Sequence, residues 1–155
     1  PACQPMDIFQ PLLQSHERQR AMSKRLLSDI GEPGQRKQAF DELKAEMAAH
    51  ETAEERAFYV PLFEHDDTVD EARHGVAEHH EMDEMVEDLE KAKEGSAEWL
   101  ESLGKLIQKL EHHLKEEEEK FFPEAKKVLD GRQTQELGAL YLKEHDRLHE
   151  KETQD

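Results

Sequence analysis

Cysteine is almost missing from this chain: Cys3 is the only one in 155 residues. No internal disulfide can form, and no thiolate-based metal site can be built. Cys3 falls in a terminus expected to fray, where a bystander thiol is the simpler reading. Glycine (7) and proline (6) are sparse, and no apolar run approaches the length of a membrane span. Residues 1–30 carry no signal-peptide core, so a soluble, cytoplasmic protein is expected. Positive charge is also short: 21 Lys and Arg face 38 Asp and Glu, a formal net charge of −17. So acidic a chain argues against a nucleic acid or a membrane surface as partner. There is no glycine-rich phosphate loop, no Gly-x-Ser-x-Gly elbow and no strand signal, which removes the standard nucleotide and hydrolase readings.

What the chain has in abundance is charge at helical spacing, 38 % of all residues. One domain spanning 1–155 is expected from the length. The first helix should start at Asp7, with an inward stripe of Ile8, Leu12, His16, Gln19, Met22 and Leu26. GEPG at 31–34 stops it. A second helix from about Gln35 to Pro61 carries Phe40, Leu43, Met47, His50, Glu54 and Phe58 on one face. Thr68 and Glu71 form a capping box for a third helix to about Lys93, with Val76, His79, Met82, Val86 and Leu89 inward. Ser96 caps the fourth, which Pro123 ends or kinks and Gly131 finishes. A shorter fifth helix follows over about 134–150, with Leu137, Leu140, Tyr141 and Leu148 apolar. The pattern predicts an all-α antiparallel up-down-up-down four-helix bundle over about 7–130, with the fifth helix packed on its outside or end. No unusually apolar outer face is evident, so a monomer or weak oligomer is expected.

The stretch LIQKLEHHLKEEEEKFFP, 106–123, is the most informative. Leu106, Leu110, His113, Glu117 and Phe121 share one helical face, which should be buried. Burying an unpaired imidazole and carboxylate is costly, so something must compensate them. The pattern repeats: HETAEERAFYVP at His50 and HLKEEEEKFFP at His113 share His, three residues, Glu-Glu, aromatics and a proline. Each is preceded one helix earlier by a lone inward histidine, His16 and His79. Counted from the helix ends at 1.5 Å per residue, all four imidazoles fall roughly 13–17 Å below one end of the bundle. Glu54 and Glu117 lie one turn away on the same faces.

Four histidines and two carboxylates at one level suit a site for iron, manganese or zinc. Shared between two ions, they give each ion two histidines, with Glu54 and Glu117 bridging. A bridging water, hydroxide or oxide still leaves positions for a small diatomic ligand or a peroxide. His80 and His112 lie about 100° round from their neighbours and should face outward. His65 and His74 are expected to be solvated, and His145 with His149 to be ordinary residues of the terminal helix. Of the run Glu116–Glu119, only Glu117 should point inward. Asp83, one turn from His79, could add a weak ligand.

His16, His50-x-x-x-Glu54, His79 and His113-x-x-x-Glu117 resemble the signature of haemerythrin-like cation-binding domains, over roughly residues 7–130. Ferritin-like bundles use Glu-x-x-His, the reverse order. The resemblance implies a non-haem di-iron centre that binds dioxygen, nitric oxide or peroxide. Oxygen-carrying haemerythrins supply a fifth histidine one turn from the third-helix one, where this chain has Gly75 or Asp83. Its absence implies a further open or water-filled position, and makes reaction with peroxide or nitric oxide more plausible than simple oxygen carriage. Binding or sensing, a peroxidase- or catalase-like activity, and iron buffering are the three functional readings this leaves.

Overall fold

The computed structural model describes residues 6–28 and 32–154. Cys3 and Gly31, the first residue of the GEPG break, lie outside the described residues. Asp7 starts the chain's first helix as its position suggests. Its Oδ1 accepts the backbone N–H groups of Phe9 (3.1 Å) and Gln10 (3.3 Å), two of the donors a helix start leaves without partners. Helix α1 spans Phe9–Leu27 and buries Leu12, His16, Gln19 and Leu26. Helix α2 covers 33–62: α-helical over Pro33–Glu54, π-helical over Glu55–Tyr59, and α-helical again over Val60–Leu62. Helix α3 is Val69–Lys91. Helix α4 covers 97–128, with a second π segment, Glu117–Phe121, between Ala97–Glu116 and Phe122–Val128. Helix α5 is Gly131–Gln154. These five helices, and no strand, make up the regular structure of the described residues.

Several boundaries differ from the sequence expectation. Pro33 opens α2 in its first turn, where a missing N–H costs nothing. Pro123 does not end α4, because it sits in the first turn after the π segment and the helix continues to Val128. Gly131 begins α5 rather than closing α4, and α5 runs to Gln154. Ser96 does cap α4, accepting the Trp99 N–H at 3.1 Å. Thr68 forms no capping box. Its hydroxyl donates backward to the carbonyls of Leu62 (2.8 Å) and His65 (3.4 Å), tying the turn to the end of α2.

Ion pairs link neighbouring helices. Arg18 and Glu46 join α1 to α2, Lys44 and Glu90 join α2 to α3, Lys109 and Glu81 join α3 to α4, and Arg20 and Glu111 join α4 to α1. The core divides into two apolar clusters. One gathers Ile8, Leu12, Phe58, Leu62, Phe121, Phe122 and Tyr141. The other gathers Leu26, Leu43, Met47, Met82, Leu89, Trp99, Leu106 and Leu110. On each of the first four helices a buried histidine stands between residues of the two clusters: His16 between Leu12 and Leu26, His50 between Met47 and Phe58, His79 between Ala72 and Met82, and His113 between Leu110 and Phe121.

Helix α5 lies along α2. Arg56 meets Glu144 at 3.0 Å, His50 meets Tyr141 at 2.7 Å and His145 meets Glu46 at 2.7 Å. Its buried side is Thr134, Gly138, Tyr141 and His145, with Leu140 exposed, so the expected stripe is rotated. Gly138 permits this close approach: a Cβ there would stand 2.7 Å from the Met6 carbonyl oxygen. No helix among the described residues is long and apolar enough to cross a membrane.

The pair Glu46–His145, joined by Ser15 Oγ–H donating to Glu46 at 2.6 Å, gives α5 a pH-dependent anchor. Burial pushes the Glu46 carboxyl up, but His145 and Ser15 outweigh it and hold it at about 2. Burial lowers His145, and Glu46 outweighs that and raises it above its ordinary 6.5. Glu46 therefore stabilises the fold above about 4.5, its ordinary value, and loses that effect as pH falls through about 2. His145 contributes fully below 6.5 and loses its effect as pH rises through its raised value. His145→Gln is expected to cost about 2 kcal/mol between these limits, and less outside them. Thermal melts of both proteins from pH 3 to pH 10 check this.

Candidate metal centre

All six expected residues meet. His16, His50, Glu54 and Glu117 form one group, and Glu54, His79, His113 and Glu117 a second, with their donor atoms within 4.8 Å of one another in each. The two carboxylates belong to both. Glu54 turns Oε2 to His50 Nε2 (3.4 Å) and Oε1 to His79 Nε2 (3.1 Å). Glu117 turns Oε1 to His16 Nε2 (2.9 Å) and Oε2 to His113 Nε2 (3.5 Å). The rings pair likewise, His16 with His50 at 5.2 Å and His79 with His113 at 4.9 Å. None of the six is more than 2 % exposed.

The outer sides of the imidazoles explain their orientation. Each Nδ1 faces a fixed partner: Glu118 for His16 (2.6 Å), Tyr141 for His50 (2.7 Å), Glu55 for His79 (2.9 Å) and Glu78 for His113 (2.8 Å). With carboxylates against Nδ1 of His16, His79 and His113, each of these rings, when neutral, carries its proton on Nδ1 and leaves the Nε2 lone pair for the interior. All four Nε2 atoms, both oxygens of Glu54 and Oε1 of Glu117 are buried without a hydrogen-bond partner. Buried polar atoms are almost always paired, so seven such atoms at one level fit a site built for cations. Nitrogen and carboxylate donors suit first-row divalent ions.

The charges say the same. Burial lowers the His16 imidazole, but Glu117 and Glu118 outweigh it and raise it to about 9. Burial likewise opposes charge on His79, and Glu54 and Glu55 hold it well above 6.5. Burial raises Glu54, and His50 and His79 pull it well below the usual carboxylate range. The carboxylates thus demand positive charge at this level, whether from protons or from metal ions.

Both π segments flank the site, since Glu54 is the last residue before one and Glu117 the first of the other. A π turn is wider than an α turn. The sequence neighbours Phe58 and Tyr59 are both buried, as are Phe121 and Phe122. Tyr59 reaches the centre itself: its hydroxyl donates to Glu117 Oε2, and its ring stacks on His79 at 5.4 Å. Burial, then the neighbouring Glu117 and Glu54, hold its phenol well above 10, so it keeps its proton. Gly75 makes the room. A Cβ there would lie 2.4 Å from Tyr59 Cζ and 2.5 Å from its hydroxyl oxygen. The space that a side chain at 75 would need is therefore taken by this phenol.

His80 and His112 stand outside, their side chains 75 % and 70 % exposed. His145 is buried against Glu46, and Asp83 is not among the grouped donors. Glu118 contradicts the expectation that Glu117 alone points inward, since it is half-buried on His16. The sequence reading also missed Glu55, Glu78, Tyr59 and Tyr141. The repeated Glu-Glu pair was a usable signal for two of these partners: Glu54 and Glu117 face inward, while Glu55 and Glu118 brace histidines of the opposite hairpin. No comparable signal marks Glu78 or Tyr141.

The family model described as the hemerythrin HHE cation binding domain matches residues 7–125. That span contains all six residues of the two groups. Comparison with curated proteins found no match, and comparison with solved structures found none.

Proposed function

Because the chain belongs to the hemerythrin HHE cation-binding family, we propose that it holds two iron ions, in preference to manganese or zinc, and binds or senses a small ligand there. In this reading His16 and His50 hold one ion, His79 and His113 the other, and Glu54 and Glu117 bridge them. The whole chain is one domain, and its first four helices run up-down-up-down. Paired contacts that step in opposite directions along successive helices support that course: Arg18–Glu46 and Arg25–Glu42, Glu54–His79 and Lys44–Glu90, Glu78–His113 and Glu81–Lys109. The observation that carries the proposal is the set of four partnerless Nε2 atoms facing two shared carboxylates. Each group offers four donors, so a six-coordinate ion keeps positions for dioxygen, nitric oxide or peroxide. When bound, the ions supply Lewis acidity and one-electron redox chemistry.

The chain's own residues do the rest. Glu118, Tyr141, Glu55 and Glu78 orient the imidazoles. Phe58, Phe121 and Phe122 keep the level dry, which strengthens electrostatic interactions inside it. Tyr59 holds a proton at its hydroxyl, beside Glu117. That donor favours a second reading, a peroxide-consuming enzyme, over the third, iron buffering.

Steady-state peroxide consumption by the iron-loaded protein separates these readings. Binding or sensing predicts ligand-dependent spectra without turnover, and the second reading predicts consumption proportional to iron content. Tyr141→Phe keeps the ring but removes the hydroxyl partner of His50 Nδ1. It is expected to weaken cation binding about tenfold, measured by competition with a chelator.

A further inference from the structure

His74 belongs to none of the proposed ligands, yet it forms a third donor group. Its Nε2 lies 3.3 Å from Glu78 Oε1 and 3.3 Å from Glu116 Oε1. The three offer ligand atoms within 4.8 Å of one another. The members differ in setting: the His74 side chain is 50 % exposed, Glu116 is 22 % exposed and Glu78 is buried. A surface depression of about 310 Å³, lined by Asp70, Glu71, His74, Glu116, Lys120 and Phe121, opens beside them. The group therefore meets solvent on one side. On the other, Glu78 Oε1 also accepts from His113 Nδ1 at 2.8 Å, so one carboxylate joins this group to the buried level. Glu116 has a further neighbour in His112, whose Nε2 lies 3.3 Å from its Oε2.

We propose that His74, Glu78 and Glu116 form an outer site for a first-row divalent cation, joined to the buried centre through Glu78. One imidazole and two carboxylates are the donors such ions prefer. Three protein ligands with a solvated face leave room for water, as an exchangeable site requires. The proposal extends the reading of the buried centre but does not share its ligands.

Zinc provides the test, because it is redox-inert and can be counted beside iron. Iron-loaded protein is dialysed against micromolar Zn²⁺, and both metals are measured per chain. The expected result is one zinc bound with iron unchanged. In the His74→Ala/Glu116→Gln double variant, zinc should fall at least tenfold with iron still unchanged. Both substituted side chains are at least one-fifth exposed, so the fold should survive, and a melting curve verifies it. If wild type takes up no zinc while keeping its iron, the site does not exist. Equal zinc in wild type and double variant means adventitious surface binding and also overturns it. Should the protein hold no iron, the buried-centre reading fails by itself. The difference of one zinc between wild type and the double variant still decides the outer site.

Discussion

Glu54→Gln is expected to empty both halves of the buried centre, whereas His50→Ala should empty chiefly one. Glu54 is the single residue on α2 that faces both histidine pairs, one oxygen to each. An amide of the same shape keeps one weak acceptor and loses the charge that a pair of divalent ions needs. Cation content should fall from two per chain to well below one. In cation-free samples His50 and His79 pull the Glu54 carboxyl well below the usual carboxylate range, so the variant should melt below cation-free wild type, while gaining little when cations are added. The gap between loaded and cation-free melting temperatures should therefore close. His80→Ala and His112→Ala, on the exposed side, should leave both cation content and melting temperature unchanged. Elemental analysis and thermal melts, with and without chelator, read all four proteins.

The second large effect is expected from the smallest substitution, Gly75→Ala. The added Cβ would lie 2.4 Å from Tyr59 Cζ, far inside van der Waals contact. The ring cannot simply step aside. It is stacked on His79, set edgewise to Phe121 at 6.4 Å, and tied by its hydroxyl to Glu117. Overpacking of this kind costs about 1–3 kcal/mol, or roughly 3–10 °C in a domain of this size. Because the displaced ring leaves Glu117, cation binding should weaken as well. Gly104 is the control, a mid-helix glycine whose added Cβ meets nothing within 4 Å. Gly104→Ala should stabilise by up to about 1 kcal/mol through helix propensity alone. In a Tyr59→Ala background the penalty at 75 should vanish, and that non-additivity would identify the phenol as the obstacle.

The contrast between these two positions shows what the sequence could reveal. His16, His50, Glu54, His79, His113 and Glu117 were legible because their stripes obey the 3.6-residue period, and because a polar residue on an apolar stripe calls for a partner. The same period placed His80 and His112 outside. It failed at Tyr59, since a straight α-helix sets consecutive residues about 100° apart, and would not turn Phe58 and Tyr59 inward together. Nothing in ERAFY or EEEKF announces a π turn. Gly75 read as a missing histidine, and only the three-dimensional packing shows it as space for a side chain from another helix.

Partners of the histidine Nδ1 atoms were harder still. Glu78 and Glu118 sit next to His79 and Glu117 in a strongly acidic sequence, where most carboxylates are solvated. Tyr141 comes from α5, which was expected outside the bundle, and its role depends on how that helix packs along α2. At the position on α1 equivalent to Glu78 the chain has Ser15, too short to reach the neighbouring ring. The near-twofold pattern of the two hairpins therefore breaks at His50, and the fifth helix supplies the missing partner.

The most direct measurement is iron per chain in protein produced with ample iron, paired with its melting temperature before and after chelation. The account predicts two irons and a clear drop in melting temperature when they are removed, because an ion bound only by the folded state stabilises it. Iron-free protein with the same heat resistance in chelator would contradict it.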